Sequence, residues 1–191
     1  YMKYNTFIML GKPGSGKGEQ SKLLSKVTGL DVASLGGRFR EIAAHNTTIG
    51  HKVKEVIDNG LLMPYWFASY LFLDTVINLE NKEGVIFDGT ARKKPEAELF
   101  HDAMTWFERP YMAIYINVSD EVVIERIMKR KETEGRCDDD TEAVRVRLKE
   151  YYDEAEPAIE YFRSTENFME VQGDRTIEEI AKDIQHRLGL Q

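Results

Sequence analysis

Cysteine and metal-ligand patterns are nearly absent from this chain of 191 residues. Cys137 is the only cysteine, so neither a disulfide framework nor a cysteine-rich zinc site can form. The histidines show no metal-ligand spacing, and we assign no role to His45, His51, His101 or His186. We therefore expect no zinc. A chain without disulfides suits a reducing compartment, and the cytoplasm is the expected location.

The composition also lacks the features that two classes of partner require. Lys and Arg number 26 against 33 Asp and Glu, which gives a net charge of -7, whereas nonspecific nucleic-acid contact depends on excess positive charge. The longest apolar runs, such as 66–73, fall far short of the roughly 20 residues that a membrane-spanning helix needs, and the first residues show no signal-peptide pattern. We expect neither a nucleic-acid nor a membrane partner.

No internal repeat or low-complexity segment is present, and 42% of the residues are hydrophobic, enough for one domain with a proper core. Short β-rich runs alternate with helical patterns, which predicts an α/β fold with parallel strands and crossover helices. We favour a monomer. The predicted strands are 4–10, 31–35, 85–88, 112–118 and 168–171. The predicted helices are 17–27, 38–46, 49–58, 65–81, 95–106, 121–129, 142–163 and 177–188.

A glycine-rich turn with a lysine follows the first predicted strand, at residues 11–20. Glycines allow a tight turn that aims backbone amides inward, and the helix after it adds a positive N-terminal end. Lys17 can reach the terminal phosphates of a nucleotide, so the segment predicts binding of a nucleoside triphosphate. Gly18 stands where Ser or Thr would hold magnesium, so the match is incomplete. The alternative is a flexible turn that binds nothing.

Arginines surround the polar segment 131–140, which we interpret as a short mobile loop. Arg126 and Arg130 lie four apart on one face of the preceding helix, Arg136 lies in the segment, and Arg145 and Arg147 follow it. Together they suggest an anionic target. Taken singly, each arginine is better explained as a surface residue, and the segment as an ordinary solvated connection.

The order and spacing of these motifs resemble those of a short-form adenylate kinase over nearly the whole chain. Residues 11–20 resemble the phosphate loop of that family, 34–40 its monophosphate-binding helix start, and 88–92 its Asp-Gly-Phe-Pro-Arg segment. Residues 135–139 resemble its short lid, followed by 144–148 and 151–152.

The resemblance implies a P-loop NTPase fold: a five-stranded parallel sheet flanked by helices, with a helical monophosphate-binding insertion and a short lid loop. It divides a single nucleoside monophosphate kinase domain, 1–191, into a core of 1–33, 64–130 and 141–191, a flap of 34–63 and a lid of 131–140. The implied reaction is transfer of the γ-phosphoryl group from ATP to a nucleoside monophosphate, with AMP as the favoured acceptor and with Mg2+. No protein nucleophile is expected, since positioning and charge stabilisation supply the catalysis.

The resemblance also implies the site residues. The catalytic set is Lys17, Arg92, Arg130, Arg136 and Arg147. The ATP-binding set is Gly14, Ser15, Gly16, Lys17, Gly18, Glu19, Arg126, Arg130 and Arg175, with Arg126 against the base. The monophosphate-binding set is Leu35, Arg40, Met63, Gly89, Arg92, Glu96, Arg136 and Arg147. Asp88, at the end of a buried strand, would hold magnesium through water. By position alone, Asp88 is as well explained as a turn or N-cap aspartate.

Several positions depart from the family pattern. Glu19 replaces a Thr, and we favour a role for it in the first helical turn. Leu35 and Glu96 stand where Thr and Gln usually meet adenine, and a carboxylate, which only accepts hydrogen bonds, suits guanine better. Glu96 as an exposed helix residue is the alternative. Thr90-Ala91 replaces Phe-Pro, which removes a stiff element before Arg92. GMP as acceptor, a non-catalytic ATP-binding switch and a kinase for a non-nucleotide hydroxyl stay open as alternatives.

Overall fold

The computed structural model describes residues 3–79, 84–134 and 141–190, and for 130–134 and 141–143 it describes the backbone alone. The described residues form a five-stranded sheet in the order β2-β3-β1-β4-β5, with every pair parallel. The strands are β1 (Thr6–Gly11), β2 (Asp31–Ser34), β3 (Val85–Asp88), β4 (Tyr111–Asn117) and β5 (Phe168–Gln172). The predicted strands and the parallel α/β class are confirmed.

Helices connect the strands as crossover elements. In chain order they are α1 (Lys17–Thr28), α2 (Leu35–Ala44), α3 (Thr48–Asp58), α4 (Tyr65–Ile77), α5 (Lys94–Trp106), α6 (Asp120–Glu134), α7 (Thr141–Glu150), α8 (Glu156–Arg163) and α9 (Ile177–Leu188). A π-helical turn, Tyr151–Ala155, joins α7 to α8. Within the described ranges, no helix has the length and apolar character needed to cross a membrane.

The sheet carries a hydrophobic core on each face. Along β1, Phe7 and Met9 pack into one cluster while Ile8 and Leu10 pack into the other, and all four are at most 5% exposed. Successive side chains of a strand point to opposite faces, so a strand that is apolar at every position needs cover on both. Burial on both faces leaves the carboxyl edge of the sheet as the place for a ligand site.

Several helix boundaries differ from the sequence-based prediction, and those of α2 and α6 bear on the site. Helix α2 begins at Leu35 rather than at 38, because the Ser34 side chain accepts a hydrogen bond from the Gly37 amide at 3.1 Å and caps the helix ahead of two glycines. Helix α6 continues through Glu134 rather than ending at 129. The first residues of the predicted 131–140 loop are therefore helical, and 135–140 lie outside the described residues.

The predicted single helix 142–163 is wrong, because a π-helical turn interrupts it. Pro157 lacks an N–H and cannot continue the α-helical hydrogen-bond pattern. Immediately before it, the Glu156 amide donates to the Tyr151 carbonyl, five residues back. The wider turn places Tyr152 beside the start of α6, where its hydroxyl donates to Asp120 at 2.7 Å. The predicted end of the fourth helix at 81 is also too late, since α4 ends at Ile77 and Asn78 caps it.

Phe100 on α5 is the centre of an aromatic cluster. Its side chain is fully buried and its ring lies 5.0 Å from the Phe72 ring, 5.8 Å from Phe87 and 5.2 Å from Tyr111. We expect Phe100→Ala to lower the free energy of unfolding by about 4 kcal/mol, since it removes a buried ring and leaves a cavity. Urea denaturation measures the change. Trp106→Ala, at a position that is 79% exposed, should change it by less than about 1 kcal/mol.

Candidate nucleotide-binding site

The phosphate loop connects β1 to α1 at the carboxyl edge of the sheet. Gly14 and Gly16 have φ angles of 77° and 93°, a left-handed conformation that favours glycine. A Cβ at Gly14 would lie 2.6 Å from Ile127 Cγ1, so a side chain there would collide with α6. Helix α1 begins at Lys17, directly after Gly16. The loop therefore presents backbone amides and a positive helix end to an anion.

Lys17 places its ammonium group across this loop. Its Nζ donates to the carbonyl of Gly11 and to that of Lys12, both at 2.7 Å. The side chain is thus folded back over the turn rather than extended into solvent. A cation held there lies beside the amides and the helix N-terminus, where a polyphosphate would be attracted by all three.

Asp88 ends β3, which pairs directly with β1. Its Oδ2 lies 3.5 Å from the position that a Cβ would take at Gly18, so the carboxylate faces the first turn of α1. Among the residues that the structure describes, no group of three His, Cys, Asp or Glu side chains could hold a metal ion by itself. A single carboxylate suits magnesium, which keeps several waters and takes its remaining ligands from substrate phosphates.

Glu19 does not face Asp88. Its side chain is exposed, and its Oε1 accepts a hydrogen bond from Lys22 at 2.7 Å, one turn along α1. The carboxylate lies in the first turn of α1, where it interacts favourably with the helix dipole. This placement supports the helical role and relieves the repulsion that a carboxylate aimed at phosphates would cause.

Arg126 on α6 joins three parts of the site. Its guanidinium donates to the Ser15 carbonyl at 3.3 Å and to the carbonyls of Gly173 and Arg175 at 2.9 and 3.1 Å. The group is therefore fixed between the phosphate loop and the segment after β5. The Arg175 guanidinium instead pairs with Asp183 on α9 at 2.7 Å, so Arg175 meets this part of the site through its backbone.

The turn after β3 carries Arg92. Gly89 has a φ of 80° and Ala91 a φ of 53°, and the Arg92 Nη2 atom lies 3.0 Å from the position of a Cβ at Gly89. Two left-handed residues thus fold the chain back so that the guanidinium covers the start of its own turn. The left-handed φ favours glycine at 89, and a Cβ there would also displace this guanidinium.

Glu96 is buried, at 6% exposure, which contradicts the alternative that it is an exposed helix residue. Its Oε2 accepts hydrogen bonds from the backbone amides of Arg92 at 2.8 Å and Lys93 at 3.4 Å, at the N-terminus of α5. Burial raises the pKa of Glu96, and these hydrogen bonds oppose the shift. The carboxylate therefore fixes the backbone that carries Arg92.

The other predicted residues occupy varied positions. Leu35 is 1% exposed and Met63 7%, and both belong to the core cluster that includes Phe39, Val53 and Phe72. Arg40 is exposed, with its Nη1 atom 3.5 Å from the position of a Cβ at Gly36. Arg147 lies half-buried on α7. The side chain of Arg130 and the whole of Arg136 lie outside the described residues.

Comparison with known proteins agrees with this geometry. A family model described as adenylate kinase matches residues 9–167. The chain is 33% identical to the adenylate kinase of Flavobacterium johnsoniae over 177 residues, which cover 92% of this chain and 93% of the relative. It is 34% identical to that of Thermus thermophilus over 184 residues, 96% of each chain.

The chain belongs to the adenylate kinase family. Its fold is accordingly the P-loop NTPase fold, and the chain is a phosphotransferase. The residues Glu19, Leu35, Glu96 and Thr90-Ala91 are thus departures from the expected pattern within a chain that belongs to the family.

The contact between Lys12 in the phosphate loop and Asp120 was not predicted from the sequence. Lys12 is 9% exposed, and its Nζ contacts Asp120 Oδ1 at 2.5 Å. The only signal in the sequence was a lysine inside the glycine turn, and nothing near it predicted a partner 108 positions away.

Glu96 also predicts a pH dependence of stability. Because the folded-state pKa is raised, the folded chain holds a proton over a range where the unfolded chain has lost it. Stability therefore falls as the pH rises from about 4 through the raised pKa. We expect the free energy of unfolding of the wild type, minus that of Glu96→Gln, to decrease across this range and then level off. Urea titrations at several pH values measure it, and a rising difference would contradict the shift.

Proposed function

We propose that this chain transfers the γ-phosphoryl group of ATP directly to AMP and releases two molecules of ADP. The observation that carries this proposal is the pair of cationic groups at the carboxyl ends of two adjacent strands. The Lys17 ammonium lies in the glycine turn after β1, and the Arg92 guanidinium covers the turn after β3. Asp88 ends β3 and faces Gly18, the residue that follows Lys17.

Each cation has its own task in the transfer. Lys17 and the loop amides bind the ATP phosphates and stabilise the charge that develops on the transferred group. Arg92 and Arg40 hold the acceptor phosphate, whose oxygen attacks the γ-phosphorus, and a guanidinium suits this task because it binds phosphate with two parallel hydrogen bonds. Arg130, Arg136 and Arg147 would approach from the side of the lid and neutralise the equatorial oxygens.

Magnesium fits the residues present. Asp88 would hold it through water, and neither Gly18 nor Glu19 offers a hydroxyl beside the phosphates. When bound, the ion neutralises charge on the β- and γ-phosphate oxygens. The task of the chain is to keep Asp88 aimed at the first turn of α1, which the pairing of β3 with β1 does.

The flap, 34–63, and the lid, 131–140, would close over the two nucleotides. Closure matters because water competes with AMP as the acceptor, so an open site would hydrolyse ATP. A free carboxylate at position 96 would favour guanine over adenine. One oxygen of Glu96 already accepts hydrogen bonds from the backbone at the start of α5, so it is less available to the base. This engagement removes part of the reason for expecting guanine.

Diphosphate formation from ATP and Mg2+ tests the proposal, with AMP, GMP, CMP and UMP offered separately. A reaction without monophosphate is the control for hydrolysis, and a reaction without Mg2+ tests the metal. We expect AMP to give the highest kcat/KM and the metal-free reaction to be inactive. A preference for GMP would instead make Glu96 the base-reading residue. Tight ATP binding with transfer to none of the four would contradict the proposed function.

A further inference from the structure

Lys12 is a buried lysine within the phosphate loop that the transfer mechanism does not use. Its side chain is 11% exposed, and its Nζ contacts Asp120 Oδ1 at 2.5 Å. The same nitrogen lies 5.4 Å from the centre of the Tyr152 ring, and the Tyr152 hydroxyl donates to the same Asp120 oxygen at 2.7 Å. A buried cation is stable only with such partners, so the three side chains act as one unit.

The partners of Lys12 come from two separate elements. Asp120 is the first residue of α6, and Tyr152 lies in the π-helical turn that follows α7. The loop is thereby attached to the start of α6 and to the turn that follows α7. Tyr152 reaches Asp120 from this turn, and π-helical turns are frequent at functional sites.

The backbone of Lys12 holds the catalytic lysine. Its carbonyl accepts a hydrogen bond from Lys17 Nζ at 2.7 Å and one from the Ser15 amide at 3.1 Å. The side chain of Lys12 is anchored at Asp120, and its carbonyl is one of the groups that locate the Lys17 ammonium. Movement of the anchor would therefore move an acceptor of Lys17.

We propose that Lys12, Asp120 and Tyr152 form a positioning network that fixes the Lys12 carbonyl, and through it the Lys17 ammonium, for phosphoryl transfer. The inference rests on the proposed function, because the position of the Lys17 ammonium affects turnover only if the chain catalyses phosphoryl transfer. Burial lowers the pKa of Lys12, but the hydrogen bonds to Asp120 and Tyr152 together outweigh it and raise the pKa. Lys12 is thus charged at neutral pH and its ion pair intact.

Lys12→Met keeps the length of the side chain and removes its charge. We expect kcat to fall about tenfold while KM for AMP stays unchanged, since small displacements of a catalytic group reduce turnover strongly. Lys12→Arg, which can keep the ion pair, should restore most of kcat. In a Lys17→Met background, adding Lys12→Met should change kcat by less than about twofold, because no ammonium is left to position.

Lys26→Met is the matched control, because it makes the same change at an exposed lysine in the last turn of α1. It should retain wild-type kcat. Normal kcat in Lys12→Met would overturn the inference, and so would an equal loss in the Lys17→Met background, which would indicate a general structural role.

ATP affinity provides a measurement that does not depend on transfer. Calorimetry with ATP and Mg2+ should show binding to Lys12→Met about fivefold weaker than to the wild type. Unchanged affinity would overturn the inference. A wild type that binds ATP but forms no diphosphate would contradict the proposed function, and the affinity comparison would still test the network.

Discussion

Lys17→Met is expected to lower kcat by about a thousandfold with little change in stability. The ammonium lies in the glycine turn with two backbone carbonyls as partners, at 2.7 Å each, where it can follow the transferred group. Removal of one preorganised charged donor commonly reduces turnover by 10² to 10³, and Lys17 meets both the donor phosphates and the transferred group. The measurement is initial-rate kinetics with saturating ATP, AMP and Mg2+.

Lys22→Met is the matched control for this variant. Lys22 lies one turn further along α1 and pairs with Glu19 on the exposed side of the helix. Exposed ion pairs contribute little to stability, so this variant should show near-normal kcat and unfolding. If Lys17→Met retained more than a tenth of wild-type kcat, Lys17 would not be the principal charge partner of the transferred group.

The fold could be predicted closely from the sequence, because local pattern determined it. Apolar runs bounded by turns predicted the five strands, and the three central ones, β3, β1 and β4, are buried on both faces, as is typical of parallel strands. Two of the errors occurred where a single hydrogen bond decided a helix boundary. The Ser34 cap started α2 early, and the Glu156 bond to Tyr151 divided a helix whose periodicity looked continuous.

The site was less predictable than the fold. Glycine spacing identified the loop and Lys17, since the chemistry of phosphate binding imposes that spacing. The role of Glu96 could not be predicted, because its burial and its bonds to the Arg92 and Lys93 amides depend on how the turn after β3 folds. Lys12 and Asp120 are 108 positions apart, and no local pattern links them.

Arg92→Ala should lower kcat with AMP about a hundredfold or more, the second large effect. The turn at Gly89 and Ala91 places the guanidinium at the carboxyl edge of β3, and the buried Glu96 carboxylate holds its backbone amide at 2.8 Å. Because its backbone is already fixed, Arg92 loses little conformational entropy when the acceptor binds. Its replacement by alanine removes two parallel hydrogen bonds to the acceptor phosphate. Initial rates at varied AMP concentration separate kcat from KM.

Two further variants sharpen this test. Arg92→Lys keeps the charge but not the planar pair of donors, so it should recover only part of the lost activity if bidentate binding matters. Lys94→Ala removes a neighbouring exposed cation, which pairs with Glu98 at 3.8 Å, and should leave kcat near the wild-type value. Near-normal turnover in Arg92→Ala would remove Arg92 from the site and leave Arg40 as the acceptor-side cation. A full recovery in Arg92→Lys would instead indicate that charge alone, without the geometry that Glu96 preserves, holds the acceptor phosphate.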